Sequence, residues 1–373
     1  MAATRIGLIG AGVIGSTHAA VLQQICAALP GRVELTAVAD PDPLAREQAA
    51  ATFGFRHAFA DGHALLDQAL VDAVFVCPPT AFHAEFVLHA AQRKVAIFCE
   101  KPLAMSYAEG VSMVEAVQRS GVPHQIGLVL RFSAVYTVMR EMLREPAFAE
   151  PLAVVFRDDQ VFPIRGVHHS PWRADRALTA GGTLIEHGVH DLDLLTWMFG
   201  PPTHLQGWMR NVTGHPGVED YVAVELRFAG GLQAQLVNVW HDMVQRPSNR
   251  RLEIFGRRGF VASDADFLGP IQCQIGDGPE TEIAAAEVLE RFRRVVPVEP
   301  APLSELAGVA YLVQDLRFLE SLWQGRTPFP GLEVGLEAQR LAEAAYHSAR
   351  TGQPVELASF PSAEKLERSR KSA

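Results

Sequence analysis

The 373-residue sequence has four cysteines, no long unbroken apolar run and no concentrated block of positive charge. Cys26, Cys77, Cys99 and Cys273 are far apart, and three of them lie inside apolar runs. That spacing argues against a disulfide framework or a cysteine metal cluster and points to buried free thiols in a reducing compartment. No stretch approaches the roughly 18 apolar residues of a membrane span, so no membrane partner is expected. Met1-Ala2-Ala3-Thr4-Arg5 runs straight into an apolar strand without a signal-type segment, which makes the cytoplasm the expected location. The formal net charge is -9, whereas a nucleic-acid partner calls for clustered Lys and Arg, so none is expected. The short basic stretches at Arg250, Arg251, Arg257 and Arg258 and at Arg291, Arg293 and Arg294 read as solvated loops or strand ends.

What is present is a globular composition, 48% hydrophobic and 20% charged, in a chain too long for one ordinary core. Two domains are expected, 1–128 and 129–373, with the C-terminal helices free to pack back on the first. In the first part, short apolar runs alternate with helical patterns, the signature of a parallel sheet with crossover helices. Strands are expected at Arg5–Ile9, Val33–Ala39, His57–Phe59, Ala73–Cys77, Val95–Cys99 and Val122–Leu130. Helices are expected between them, among them Gly62–Leu70 and Tyr107–Ser120. This is an α/β, doubly wound Rossmann domain.

From Arg131 onward the pattern changes to alternating runs at Leu152–Phe156, His204–Arg210, Asp220–Phe228, Gly231–Trp240 and Arg251–Phe255, with Gly230-Gly231 as a hairpin turn. An α+β domain with a large open, mainly antiparallel sheet is expected. Trp208, Val222, Val224, Leu236, Val237 and Val239 are candidates for an uncovered apolar face that pairs with a second copy. A long loop is expected over Asp159–Ala180, and long helices over Leu303–Gln324 and Leu332–Thr351.

Gly10-Ala11-Gly12-Val13-Ile14-Gly15 follows the first strand and opens a helix. Gly10 permits the tight turn, Gly12 lets a pyrophosphate approach the backbone, and Gly15 lets helix and strand pack closely. Asp40, ending the second strand, is placed to accept hydrogen bonds from the adenosine ribose, or to cap the turn before Pro41. No basic residue adjoins Asp40, the nearest being Arg46, so NAD is expected rather than NADP.

Gly181 to Asp193 carries a carboxylate and an imidazole at i and i+4, Glu186 and His190. On a helix they share one face, and a carboxylate beside an imidazole is a common way to orient a general base. The two glycines before them, Gly181 and Gly182, allow close backbone approach. His168, His169, Glu186, His187, His190, Asp191 and Asp193 are numerous enough to suggest zinc, but neither HExxH nor a cysteine spacing supports a metal, and none is expected.

Two more motifs, Val74-Phe75-Val76-Cys77-Pro78-Pro79-Thr80-Ala81-Phe82-His83 and Glu100-Lys101-Pro102-Leu103, follow the fourth and fifth strands. With the glycine loop and the Gly181–Asp193 segment, in that order, they resemble the glucose–fructose oxidoreductase and inositol dehydrogenase family over almost the whole chain. The resemblance implies NAD(P)-linked oxidation of a sugar or cyclitol hydroxyl at the carboxyl ends of the parallel strands. It makes Lys101, His190 and Glu186 the catalytic candidates, with Glu186 standing where the family usually has Asp. It places Pro78, Pro79, His83, Glu100 and Lys101 by the cofactor beside Gly10, Gly12, Val13, Ile14, Gly15 and Asp40; for His83, a helix cap is the other reading. Arg131, His168, Trp172, Arg173 and His187 are substrate candidates, and Arg165, Arg173 and Arg176 also suit an acidic or phosphorylated sugar. Other functions remain open: a glycosidase that oxidises transiently with bound NAD, a non-catalytic NAD-binding sensor, or reduction of a non-carbohydrate carbonyl. A homodimer or homotetramer through the C-terminal sheet is the expected assembly.

Overall fold

A computed structural model describes residues 2–166 and 169–361. The chain divides into two compact units: Met1–Leu128 with Val298–Ala307 and Tyr311–Leu336, and Val129–Pro297 with Gly308–Ala310 and Glu337–Ala373.

The first unit is a six-stranded parallel sheet. Its strands are β1 (Thr4–Ile9), β2 (Val33–Ala39), β3 (His57–Phe59), β4 (Ala73–Val76), β5 (Ala96–Cys99) and β6 (His124–Ile126). Their order is β3-β2-β1-β4-β5-β6, so the chain reverses direction across the sheet between β1 and β4. Ligands of doubly wound folds bind at the strand ends beside such a reversal. β4 and β5 are buried along their whole length, which accounts for their unbroken apolar sequence. The crossover helices are α1 (Val13–Ala28), α2 (Pro43–Phe53), α3 (Gly62–Asp67), α4 (His83–Gln92) and α5 (Tyr107–Ser120). Local chemistry sets their ends: Ser106 accepts from the Glu109 amide at the start of α5, and Gly121 closes it at φ 69°. Two elements are shorter than expected. α3 stops at Asp67, with Ala69 at φ 52°, and β6 begins only after Pro123, which has no amide to give a ladder.

The second unit is built on a nine-stranded mixed sheet. It comprises β7 (Pro151–Val161), β8 (Pro202–Arg210), β9 (Tyr221–Phe228), β10 (Gln233–His241), β11 (Asn249–Gly256), β12 (Gly259–Ser263), β13 (Ile271–Ile275), β14 (Thr281–Ile283) and β15 (Val355–Glu356). The order is β14-β13-β12-β11-β7-β10-β9-β8-β15, antiparallel except between β7 and β10. Gly230 and Gly231, at φ 82° and 95°, make the β9–β10 hairpin that the sequence announces. β7 runs on to Val161, so the first residues of the expected Asp159–Ala180 loop are strand, held by pairing with both β10 and β11.

The α-helices after β6 are α6 (Ala134–Met142), α7 (Val189–Phe199), α8 (Ala285–Val295), α9 (Ala301–Glu305), α10 (Ala310–Trp323) and α11 (Leu332–Thr351). The single helix expected over Leu303–Gln324 is thus two. A Cβ on Gly308, in the break, would stand 3.0 Å from Leu268. α10 contributes to the first core, where Phe318 meets the stacked pair Phe75 and Phe98 edge-on.

The sheet of the second unit has one covered face, and three of the six residues expected on an open apolar face point into it. Val222, Val224 and Leu236 are buried, whereas Trp208 is 49% exposed and Val237 and Val239 are partly so. Strand alternation explains the division, because Val222 and Val224 lie out of phase with Trp208 across the β8–β9 register. No helix among the described residues is long and apolar enough to cross a membrane. The four cysteines are free thiols.

Candidate active site

In the first unit the glycine loop has the geometry a dinucleotide requires. Gly10 sits at φ 89°, and a Cβ there would lie 2.6 Å from the Pro78 nitrogen. A Cβ on Gly15 would lie 1.9 Å from the Gly10 carbonyl oxygen, so helix and turn can meet only at glycine. Around Gly12 nothing stands within 4 Å of an added Cβ, which leaves room for a phosphate against the backbone. Gly12 caps α1, and the amides of Val13, Ile14 and Gly15 belong to the first turn, where no intrahelical acceptor exists. The loop therefore fits a pyrophosphate.

Asp40 faces this loop. One carboxylate oxygen accepts from the Ala11 amide at 2.7 Å and the other from the Asp42 amide at 2.9 Å. Asp40 thus braces the turn, and lone pairs remain for ribose hydroxyls. Arg46, six positions on, folds back so that its Nη1 donates to the Asp40 carbonyl oxygen at 2.8 Å. A guanidinium does stand beside Asp40, contrary to the sequence reading, because the first turn of α2 brings it round.

The two motif loops are tied together by His83. Its Nδ1 lies 2.8 Å from the Pro102 carbonyl oxygen and its Nε2 3.0 Å from that of Pro78. The ring is buried and bridges the loops after β4 and β5 rather than capping α4. Pro79 opens the short helical turn Thr80–Phe82. Glu100, also buried, accepts from the Lys101 backbone amide at 3.1 Å through one oxygen. Its other oxygen is 3.1 Å from His18 Nε2, while His18 Nδ1 is 2.8 Å from Asp315. Burial alone would lower the His18 pKa, but Asp315 and then Glu100 outweigh it and raise it to about 10. At neutral pH an imidazolium therefore lies between two buried carboxylates, one of them bonded to the Lys101 amide. Sequence reasoning missed His18 and Asp315. A histidine on the apolar face of α1 was the available signal, but nothing in the sequence links it to a carboxylate so far along the chain.

In the second unit, Leu184–Gly188 forms a π-helical turn that leads directly into α7, so Glu186 and His190 straddle the change from one winding to the other. Such turns often mark functional positions. Gly181 and Gly182 approach protein rather than ligand. A Cβ on Gly182 would lie 1.8 Å from the Glu219 carbonyl oxygen, and one on Gly181 2.6 Å from the Tyr346 hydroxyl. The Glu219 carboxylate accepts from the amides of Gly182 (2.7 Å) and Leu184 (3.0 Å) and from the Tyr346 hydroxyl (2.9 Å). Burial nevertheless raises its pKa. This set of bonds holds the turn that presents Glu186.

Glu186 is fully buried, accepting from the Ala180 amide at 3.0 Å and from Arg173 Nη1 at 2.9 Å. The Arg173 guanidinium also lies 4.4 Å from the centre of the Trp172 ring, so two of the substrate candidates form one stack against the carboxylate. His190, on the first turn of α7, is 7% exposed. His187 faces Asp158 at 2.8 Å and Arg250 at 2.9 Å.

Arg250 is no solvated strand end: it is buried and pairs with Asp158, Asp191 and Asp266, each at 2.8 Å. The sequence reading failed because its partners come from β7, α7 and the segment after β12. Asp158 would be raised by burial, but Arg250 and His187 hold it well below the usual carboxylate range. Asp191 is pushed well up by burial, against the pull of Arg250. Arg131 makes a two-pronged pair with buried Asp193, at 2.8 and 2.7 Å, anchoring the segment before α6 to α7. His168 lies outside the described residues.

These features have counterparts in known proteins. Residues 4–128 match the model of an oxidoreductase family with an NAD-binding Rossmann fold, and residues 136–262 match the GFO/IDH/MocA C-terminal domain. The chain belongs to this family, and it is an NAD-binding oxidoreductase. Among its relatives, it is 26% identical over 360 residues to myo-inositol 2-dehydrogenase of Thermotoga maritima, spanning 95% of this chain and 98% of that protein. It is 26% identical over 373 residues to scyllo-inositol 2-dehydrogenase (NAD(+)) of Bacillus subtilis, spanning 95% and 96%. The solved structure of levoglucosan dehydrogenase with NADH and levoglucosan has the same fold, with a TM-score of 0.83 at 20% identity over 95% of this chain and 99% of that one.

Proposed function

We propose that the protein is a dehydrogenase that moves hydride between NAD and a secondary hydroxyl of a sugar, sugar derivative or cyclitol. The observation that carries this reading is that one chain holds both a phosphate-ready glycine loop and a buried, arginine-held carboxylate on the π-turn that leads to His190. The names of the relatives, inositol 2-dehydrogenases among them, support the substrate class.

When bound, the nicotinamide supplies the hydride acceptor. The rest is the work of the chain. His190 takes the proton from the substrate hydroxyl, and Lys101 donates a hydrogen bond to the same oxygen as negative charge develops. Glu186, fixed by Arg173 and the Ala180 amide, holds the turn that presents His190. The hydrogen bond that the Lys101 amide donates to the Glu100 carboxylate, backed by His18 and Asp315, sets the lysine's backbone. Trp208, Val237 and Val239, on the less covered sheet face, support pairing with a second copy.

The test is a screen for NADH formation across cyclitols, aldoses, sugar acids and sugar phosphates, with NAD and NADP compared. Turnover of a cyclitol or sugar with NAD is expected. No turnover of any of them by protein that binds NAD would refute the reading.

A further inference from the structure

The second unit carries a cleft of about 380 Å³ lined by Arg176, Arg210, Arg350, Asn211, Met209 and Val218, with the Ala180–Gly181 backbone in its wall. That volume lies in the range of small-molecule sites. None of Glu186, His187 and His190 lines it.

Its charge is unbalanced. Arg176, Arg210 and Arg350 are all exposed, and none has an ion-pair partner among the described residues, whereas Arg131, Arg173 and Arg250 each meet a carboxylate. The acid in the lining is Glu219, and both its oxygens are already taken by the Gly182 and Leu184 amides and the Tyr346 hydroxyl. Arg176 is also set in place: a Cβ on Gly217 would stand 3.1 Å from its stem, and its Nη1 donates to the Thr179 carbonyl oxygen at 2.8 Å. The remaining donors of that fork are unspent. Three arginines lining one concave surface together with apolar Met209 and Val218 match a phosphate with a carbon body attached.

We propose that this cleft binds the phosphate group of a small metabolite at a site separate from Glu186 and His190. The wall of the cleft is also continuous with the catalytic segment, since the Ala180 amide is bonded to Glu186 and the Gly182 amide to Glu219. A ligand seated there bears on the turn that presents Glu186. The binding claim does not depend on which hydroxyl the enzyme oxidises.

The experiment measures the melting temperature of the NAD-saturated protein, so that the glycine loop is already filled, against inorganic phosphate and against chloride at matched ionic strength. Phosphate is expected to raise it saturably and chloride is not. The double variant Arg210→Gln/Arg350→Gln should need about tenfold more phosphate or worse for the same shift, as should Arg176→Gln alone, because charge-assisted bonds are lost. Arg257→Gln, at an exposed arginine outside the cleft, should behave as wild type. Equal effects of phosphate and chloride, a wild-type response in the double variant, or an equal loss in Arg257→Gln would each overturn the proposal.

Discussion

His18 Nε2 stands 3.1 Å from Glu100 Oε1, and the other oxygen of Glu100 accepts from the Lys101 amide. A charged ring with no solvent access thereby supports the residue proposed to assist at the substrate oxygen. Asp315 holds the far side of the ring at 2.8 Å.

His18→Gln leaves two buried carboxylates without their cation and should cost about 3–5 kcal/mol of stability, read by urea unfolding. The pH dependence has a defined sign. The folded-state pKa of about 10 lies above the usual 6.5, so the folded protein holds the extra proton between those values. The stabilisation from His18 is complete below about pH 6.5 and is lost as pH rises through 10. Wild type should weaken across that window, and His18→Gln should lose that part of the slope.

Gly12 and Gly15 should separate binding from folding. Gly12→Ala adds a methyl group in open space, so melting should change little while NAD affinity falls about tenfold or more, because the methyl occupies the phosphate approach. Gly15→Ala drives a methyl into the Gly10 carbonyl and should destabilise the protein outright. Calorimetric titration with NAD and thermal melting distinguish the two.

Arg173→Ala strips a buried carboxylate of its guanidinium. A loss of about 3 kcal/mol or more in stability is expected, with kcat falling further than KM rises because the turn before His190 is displaced. Arg173→Lys should restore stability better than turnover, since one ammonium replaces the charge but not the planar fork.

Asp40→Ala removes the carboxylate that disfavours a 2′-phosphate and leaves Arg46 beside the site. The ratio of kcat/KM for NADP to that for NAD should rise about tenfold or more. Asp40→Ala/Arg46→Ala should lose the gain with NADP. An unchanged ratio in the single variant would show that Asp40 only braces the loop.

Sequence patterns revealed the elements whose chemistry is local. The glycine loop, the buried β4 and β5 runs and the Gly230–Gly231 hairpin depend on neighbours a few residues away, so spacing alone exposes them. The roles proposed for Lys101 and His190 rest on motif order rather than periodicity. What stayed hidden depends on distant partners. Arg250 looked like a surface charge because Asp158 and Asp191 reach it only once β7, β11 and α7 are assembled. The bonds of Glu186 to Arg173 and to the Ala180 amide were hidden as well, since neither lies at a helical spacing from it. The π-turn has no period that a 3.6-residue pattern would detect.

The central claim is that His190 and Lys101 act on the substrate oxygen while the glycine loop holds NAD independently. The direct measurement is steady-state turnover of His190→Ala and Lys101→Ala on the best substrate from the screen, beside NAD affinity for each variant. The account predicts kcat lower by about 10²–10⁴-fold for His190→Ala and a comparably large loss for Lys101→Ala, with NAD affinity close to wild type. Turnover near wild type in either variant would contradict it.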